Sequence, residues 1–440
     1  MSKPIVAIVG RPNVGKSTLF NKLARSRISI VEDVPGVTRD RIYADAEWLT
    51  HKFTLVDTGG MDPDSDDIFF TNMMNQAHLA METADVILFI TDIKTGIIEA
   101  DAKVADILRR TQKPVVLAVN KADDMRKGEL EAYEFYSLGL GEPIPISAGQ
   151  MLGLGDLLDA VTDHFPSANP DEEDEELIKV AIVGKPNVGK SSLLNRLLGH
   201  ERSIVSDIPG TTRDAVDAFL DRDGQRYLFI DTAGIRKKSK IKENIERYSI
   251  VRAIAAIERS DVCVLVIDAL EGVSEQDSKI AGVAHDRGKA IVIVTNKWDA
   301  LEKDNDTMKA HLDKIAIELG FMPYAPRVFI SAKTGQRVDK IFETVYAVAQ
   351  NHSMRVQTGI LNDTLIEAMA VTPPPSDRGK QLRIYYITQV SVKPPTFVLF
   401  VNDQELMHYS YQRFIENKLR QAFGFSGTPI RFIVRNKEKN

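Results

Sequence analysis

Short, continuous apolar runs alternate with amphipathic stretches along most of this chain. Residues 5–9, 53–56, 86–90 and 115–119 form such runs in the first 165 positions. Each is shorter than a stable helix, which predicts strands buried on both faces. Between them, segments such as 102–110 carry apolar residues at helical spacing. That alternation predicts a parallel sheet covered by helices on both sides. The same grammar returns after residue 177, with runs at 180–183, 227–230, 262–267 and 291–295. From about residue 353 it changes. Residues 360–370 read as a helix that Pro373-Pro374-Pro375 stops, and 381–392 and 397–402 alternate like strands. Residues 409–423 place Tyr411, Phe414, Ile415, Leu419 and Ala422 on one helical stripe, and 430–434 read as a last strand.

The expected architecture is therefore α/β: two tandem doubly wound, mainly parallel sheets over 1–165 and 177–350, then a small α-β-β-α-β block over 353–440. Residues 166–176 join the first two. They contain Pro166 and Pro170 and then six consecutive carboxylates, Asp171-Glu172-Glu173-Asp174-Glu175-Glu176, whose mutual repulsion favours an extended, solvated linker.

The two sheet-forming halves carry the same chemistry. Gly10-Arg11-Pro12-Asn13-Val14-Gly15-Lys16-Ser17 recurs as Gly184-Lys185-Pro186-Asn187-Val188-Gly189-Lys190-Ser191. Each copy follows a strand-like run and opens a helical one, the setting of a phosphate-binding loop. The glycines let backbone N–H groups converge on phosphate, Lys16 and Lys190 supply a charge at the β/γ phosphates, and the hydroxyls of Ser17 and Ser191 suit Mg²⁺. Thr18 and Ser192 follow as further nucleotide contacts. Positions 10, 38 and 57 recur at 184, 212 and 231, each 174 residues on. A period this long is a duplicated domain, not a solenoid.

Asp57 of Asp57-Thr58-Gly59-Gly60 and Asp231 of Asp231-Thr232-Ala233-Gly234 end strand-like runs beside the loop, where a carboxylate can hold Mg²⁺. Gly60 and Gly234 let the backbone approach the γ-phosphate. Thr38 and Thr212 lie in polar, Pro/Gly-punctuated segments that a γ-phosphate and Mg²⁺ would order. Asn120-Lys121-Ala122-Asp123 and Asn296-Lys297-Trp298-Asp299 decide the base. A carboxylate only accepts hydrogen bonds, and guanine offers Asp123 or Asp299 two neighbouring donors where adenine presents an acceptor. Asn120 and Asn296 can tie this loop to the phosphate loop, Lys121 and Lys297 can cover the base, and Ser147-Ala148 and Ser331-Ala332 complete the set.

With these motifs assembled, each half resembles a translation-factor-type GTPase domain. The tandem with its short C-terminal block resembles the Der/EngA family of double-domain bacterial GTPases over essentially the whole chain. The resemblance implies P-loop GTPase folds, a KH-like C-terminal domain, and a molecular switch in assembly of the large (50S) ribosomal subunit that contacts rRNA. A GTP-holding scaffold that hydrolyses slowly or not at all is the alternative from another class. A GTPase serving tRNA modification would need a fused catalytic module that the chain does not show.

Ras-like proteins place a water-orienting glutamine directly after the Asp-x-x-Gly motif. Here Met61 and Ile235 stand there. Either the domains bind GTP and barely hydrolyse it, or the function comes from elsewhere. The resemblance implies the second: K⁺ near the β/γ phosphates, held by a phosphate-loop asparagine whose position Asn13 and Asn187 match, with Lys16, Thr38, Lys190 and Thr212 as the catalytic residues. No His/Cys spacing suggests zinc.

Composition adds limits. Hydrophobic residues make up 43% and charged residues 27% of the 440, ordinary values for globular proteins. The one cysteine, Cys263, sits in a core-like run, so no intrachain disulfide is expected. No signal-peptide pattern or long apolar run appears, so the expectation is a cytoplasmic monomer without membrane contact. The net charge is −6, yet residues 353–440 hold twelve Lys/Arg against seven Asp/Glu. A basic block on an acidic body suggests RNA, with Arg420, Arg431, Arg435, Lys437 and Lys439 as candidate phosphate contacts. KH domains clamp RNA with a Gly-x-x-Gly loop between two helices, and the one candidate, Gly424-Phe425-Ser426-Gly427, instead precedes the last strand. Docking of the block on a GTPase core is the rival reading. A second basic run, Arg236-Lys237-Lys238-Ser239-Lys240-Ile241-Lys242, follows the second Asp-x-x-Gly where the first copy is acidic. It is a candidate for nucleotide-dependent contact with RNA or with the KH-like block.

Overall fold

The computed structural model describes residues 3–25, 43–58, 66–166, 177–199, 217–231, 245–302, 304, 306–377 and 380–437, with backbone alone for 25, 66–72 and 245–249. Thr38, Gly60, Met61, Thr212, Gly234, Ile235, Lys439, the acidic run 171–176 and the basic run 236–242 lie outside the described residues. The chain divides near residue 173 into two compact units.

In the first unit, strands β1 (Ile5–Val9), β2 (Tyr43–Trp48), β3 (His51–Asp57), β4 (Val86–Asp92), β5 (Val115–Asn120) and β6 (Pro143–Pro145) form one sheet in the order β2-β3-β1-β4-β5-β6. Only β2 runs antiparallel to its neighbour. Every residue of β1 and β4 is buried, as the unbroken apolar runs require of strands with covered faces. Helices α1 (Lys16–Arg25), α2 (Asp66–Thr83), α3 (Glu99–Leu108), α4 (Met125–Ala132) and α5 (Leu154–Thr162) connect them. Leu19 and Leu23 of α1 and Leu157 and Val161 of α5 close one core with Val6, Ile8, Leu88 and Ile90.

The second unit repeats the plan. Strands β7 (Leu177–Val183), β8 (Ala218–Arg222), β9 (Gln225–Ile230), β10 (Val262–Asp268), β11 (Ala290–Asn296) and β12 (Arg327–Phe329) lie in the order β12-β11-β10-β7-β9-β8. Its helices are α6 (Lys190–Gly199), α7 (Ile245–Arg259), α8 (Glu275–Asp286), α9 (Thr307–Glu318) and α10 (Asp339–Ser353). Ser274 caps α8 by accepting the Asp277 N–H while Asp277 accepts the Ser274 N–H, a reciprocal box that satisfies two end donors.

The same unit contains the C-terminal block. Helix α11 (Thr358–Val371), a short ribbon of β13 (Ser376–Asp377) and β14 (Lys380–Gln381), then β15 (Ile384–Ser391), β16 (Thr396–Val401), α12 (Tyr409–Phe423) and β17 (Arg431–Asn436) follow in order. The sheet runs β15-β16-β17, and α12 supplies the crossover that lets β16 and β17 pair in parallel. Tyr411, Ile415 and Leu419, one turn apart on α12, bury against Leu361 and Leu365 of α11 and Phe397, Leu399 and Val401 of β16. The α-β-β-α-β reading thus holds: β15 starts three residues later than the alternation suggested, β16 is displaced by one residue, and β17 runs two residues further.

This block docks on the six-stranded fold of the second unit. Gly427 accepts from the Ile291 N–H at 2.7 Å and donates to the Tyr324 carbonyl at 2.8 Å. A Cβ on Gly427 would lie 2.3 Å from Val348, at a φ of +77° that favours glycine. His352 bonds Thr428 at 2.7 Å, and both are buried. Arg420 stacks 4.6 Å over the Tyr324 ring and donates to the carbonyls of Phe425 and Thr428, while Arg431 donates to the Asp286 carbonyl. The Gly424-Phe425-Ser426-Gly427 segment is thus part of the docking seam. Arg420 and Arg431 have backbone carbonyls as partners where the sequence suggested phosphates.

Candidate functional site

In the first unit β1 is flanked by β3 and β4, and the chain leaves toward opposite sides of the sheet. The loop after β1 therefore opens at the topological switch point, where open α/β sheets bind ligands. Asn13 adopts φ 63° and Asn187 φ 65°, the left-handed conformation that asparagine tolerates. A left-handed residue in such a loop turns successive N–H groups into one concavity. Lys16 Nζ donates to the carbonyls of Gly10 and Arg11, both at 2.7 Å, and Lys190 Nζ donates to Gly184 and Lys185 at the same distances. Each lysine thus bridges the mouth of its own loop. Burial lowers the Lys190 ammonium to a pKa of about 8, so a neighbouring anion would stabilise its charge.

The Ser17 hydroxyl lies 3.2 Å from Asp57 Oδ2. Two oxygen groups at hydrogen-bonding distance beside an anion loop are a donor set that a hard divalent cation accepts. In the second unit Asp231 sits at φ 54°, and its N–H donates to Asp217 Oδ1 at 2.9 Å. Asp217 in turn pairs with Arg259 of α7.

One asparagine organises each base loop. Asn120 Nδ2 donates to the Val14 carbonyl at 2.6 Å, and its Oδ1 accepts from the Ala148 N–H at 2.9 Å. Asn296 does the same with Val188 at 2.8 Å and Ala332 at 2.9 Å. Three separated motifs are thereby joined by one buried side chain. The glycines ending the phosphate loops belong to this joint: a Cβ on Gly15 or Gly189 would lie 2.2 or 2.3 Å from that amide nitrogen.

Asp123 accepts from Ser147 Oγ at 2.9 Å and from Lys94 Nζ at 2.6 Å. The Lys94 bond first, then the Ser147 bond, hold its carboxyl below the usual range, so it is ionised and acceptor-only, as guanine recognition requires. Lys121 pairs with Asp92 at 2.6 Å and Lys297 with Asp268 at 2.5 Å. Asp299 follows in the short turn after β11, and Ser331 Oγ accepts from the Thr334 N–H at 3.0 Å. The described members of both motif sets therefore converge on two switch points.

Sequence reasoning missed the residues that hold these sets in place. Asp92 and Asp268 anchor the two base-loop lysines. Asp101, buried at the start of α3, faces Arg11 at 3.4 Å, and Asp277 accepts from the Lys185 N–H at 3.4 Å. Desolvation raises the Asp101 pKa despite Arg11. Positions 92 and 101 recur at 268 and 277, the same 176-residue spacing that separates Asn120 from Asn296. That spacing was the available signal.

A family model described as a 50S ribosome-binding GTPase matches residues 5–121 and again 179–297. A second, described as the KH-domain-like C-terminal region of EngA bacterial GTPase enzymes, matches residues 355–435. GTPase Der of Agathobacter rectalis is 61% identical over 440 residues, covering 100% of both chains, and GTPase Der of Lachnoclostridium phytofermentans matches at the same identity and coverage. Among solved structures, a crystal structure of Aquifex aeolicus Era bound to GDP·AlF4⁻ is similar at 24% identity and a TM-score of 0.31, covering 59% of this chain and 93% of that one. Among the described residues, no helix is long and apolar enough to cross a membrane.

Proposed function

This chain belongs to the GTPase Der family and hydrolyses GTP to GDP and phosphate, and from that premise we propose a switch that acts on the large ribosomal subunit or its precursor through rRNA. The observation that carries the reading is the duplication: both copies hold a phosphate-loop motif tied by asparagine to an Asn-Lys-x-Asp loop, and the model matching both copies describes ribosome-binding GTPases.

In this reading Lys16 and Lys190 hold the β/γ phosphates, and Asp123 and Asp299 select guanine. Ser17, Thr38 and Asp57, with Ser191, Thr212 and Asp231, would hold Mg²⁺, and the facing oxygens of Ser17 and Asp57 suit that ion. Mg²⁺ would neutralise charge developing between the β and γ phosphates. Asn13 and Asn187 would offer side-chain oxygens to K⁺, compensating for Met61 and Ile235, which cannot orient water. The protein itself positions the phosphates and excludes adenine. The protein would act as a monomer in the cytoplasm, with domains over 1–165, 177–350 and 353–440.

Co-sedimentation with 50S particles tests this, comparing a non-hydrolysable GTP analogue with GDP at several salt concentrations. Binding confined to the analogue is expected; equal binding in both states would overturn the switch. Turnover faster in K⁺ than in Na⁺, and lost in Asn13→Ala and Asn187→Ala, is the expected signature of the potassium site.

A further inference from the structure

The C-terminal sheet has one face covered by α11 and α12; its other face is exposed at Tyr386, Ile433 and Arg435, with Val398 between them buried. An open antiparallel or mixed face ordinarily reads polar at alternate positions. This one does not. Phe397, Leu399 and Val401 of β16 point into the core, so Val398 and Phe400 point the other way. Across the register Phe400 pairs with Tyr386 on β15 and with Arg435 on β17, and Val398 pairs with Thr388 and Ile433. The Tyr386 and Phe400 rings stack at 4.3 Å with 16° between their planes, so Phe400 covers one face of a ring that is still 37% exposed. Ile433 is 40% exposed. At the end of the same strand Lys437 Nζ lies 4.9 Å from the centroid of the Tyr385 ring. Arg435 has no ion-pair partner among the described residues; on this face the docking contact with the second unit's larger sheet is made by Arg431, at the other end of β17.

We propose that this open face binds single-stranded RNA, one base stacking on Tyr386 while Arg435 and Lys437 take the flanking phosphates. It rests on the RNA-directed reading above and names the surface that would serve it. Three things select this occupant. The central row is aromatic, aromatic, guanidinium, and any base can stack on an exposed aromatic ring. Strand spacing puts Arg435 roughly 10 Å from Tyr386, within one nucleotide's reach of a stacked base. The block carries a positive surplus on an otherwise acidic chain, which favours a polyanion over an acceptor of neutral or basic peptide. A duplex hides its base faces and would not use the platform.

The test uses the full chain and a twelve-nucleotide, uridine-rich RNA carrying one 2-aminopurine and a terminal fluorophore. Tyr386→Ala should weaken binding about 5- to 100-fold and abolish the 2-aminopurine quenching that stacking causes. Tyr386→Phe should keep both, since only the hydroxyl is lost. Arg435→Gln should lower the slope of log affinity against log salt by about 0.7. GTP turnover should be unchanged in all three, which also shows that each variant is folded. Binding by Tyr386→Ala within twofold of the parent, or no RNA binding by the parent, overturns the proposal. If the parent still sediments with 50S particles in that case, the switch reading stands and this surface is removed from it. Loss of sedimentation in Tyr386→Ala without loss of RNA binding would assign the face to a protein and likewise overturn it.

Discussion

Asn120 and Asn296 make the same two hydrogen bonds, and Lys16 and Lys190 reach the same two loop carbonyls at the same distances. A few ångströms away the two copies have parted. Lys94, which clamps Asp123, corresponds to an exposed Leu270 in the second copy. Gln112 corresponds to Gly288, whose Cβ would lie 2.7 Å from Pro394 of the docked C-terminal block. The difference separates two kinds of constraint. Side chains that satisfy buried backbone groups are held in both copies, because an unpaired buried amide or carbonyl costs about 1–3 kcal/mol. Side chains that meet solvent or another domain are free to differ: the first copy carries a lysine on the Asp123 carboxylate, the second a docking seam.

The largest effect should come from testing whether both copies read guanine alike. Asp123→Asn and Asp299→Asn each replace an acceptor-only group by one that presents donors to guanine's donors. Each should cut GDP affinity at its own site by about 10³-fold or more, reducing tight sites from two to one in isothermal titration. A variant that keeps two tight sites would show that its copy does not use the carboxylate.

Next in size is the seam, which has no counterpart in the first copy. Gly427→Ala meets Val348 and a left-handed backbone at once, and should cost about 2–4 kcal/mol. Calorimetry should show one transition falling and the other unmoved. Two transitions falling together would mean that the seam is not confined to the second unit. The buried His352 and the half-buried His285, which bonds the Tyr324 hydroxyl at 2.6 Å, make the same seam acid-sensitive, since desolvation pushes them to about 3 and about 4. Below their unfolded value near 6.5 the unfolded chain binds protons that the docked one refuses. Stability is therefore lost as pH falls from about 6.5, before bulk carboxylates titrate.

Much of this was readable beforehand, and the boundary is physical. Strands β1, β4, β5 and β10 could be read because parallel strands buried on both faces leave unbroken apolar runs. That the paired motifs come together could be read because the duplication repeats their spacing, and Asn120 and Asn296 join them in both copies. Arg420 and Arg431 read as phosphate contacts because a sequence shows charge and not the carbonyls of Phe425, Thr428 and Asp286 that satisfy it. The anchoring roles of Asp92 and Asp268 depend on a strand end and a loop brought together only by the sheet.

A proton-linked effect follows for the second site. Free Lys190 titrates near 8, and a bound phosphate raises that value, so binding takes up a proton above pH 8. Nucleotide affinity there should be flat from pH 6 to 8 and then fall by up to about tenfold per pH unit. The unliganded unit should move oppositely. Its folded lysine lies below the unfolded 10.5, so the contribution of this group to stability rises from about pH 8 to 10.5. Measuring GDP affinity in the Asp123→Asn background isolates the second site. A flat profile to pH 9.5 would remove Lys190 from the phosphate contacts.

The smallest effect tests the divergence at Lys94 itself. Its ammonium occupies Asp123 Oδ2 at 2.6 Å, an oxygen that guanine's N1–H or amine would also use. The pair is solvent-exposed, so its competition with the base is modest and screened by salt. Lys94→Leu reproduces the second copy at this position. It should tighten GDP at the first site by about two- to fivefold at low salt, and the gain should shrink as ionic strength rises. The reverse change, Leu270→Lys, should weaken the second site by a similar factor if Asp299 reads the base from the same side. Stopped-flow displacement of a fluorescent GDP, with the other site silenced by its Asp→Asn change, separates the outcomes. A tighter first site through slower release means Lys94 competes with bound guanine. A looser one means Lys94 reaches the nucleotide as a ligand and moves off Asp123 when the base arrives.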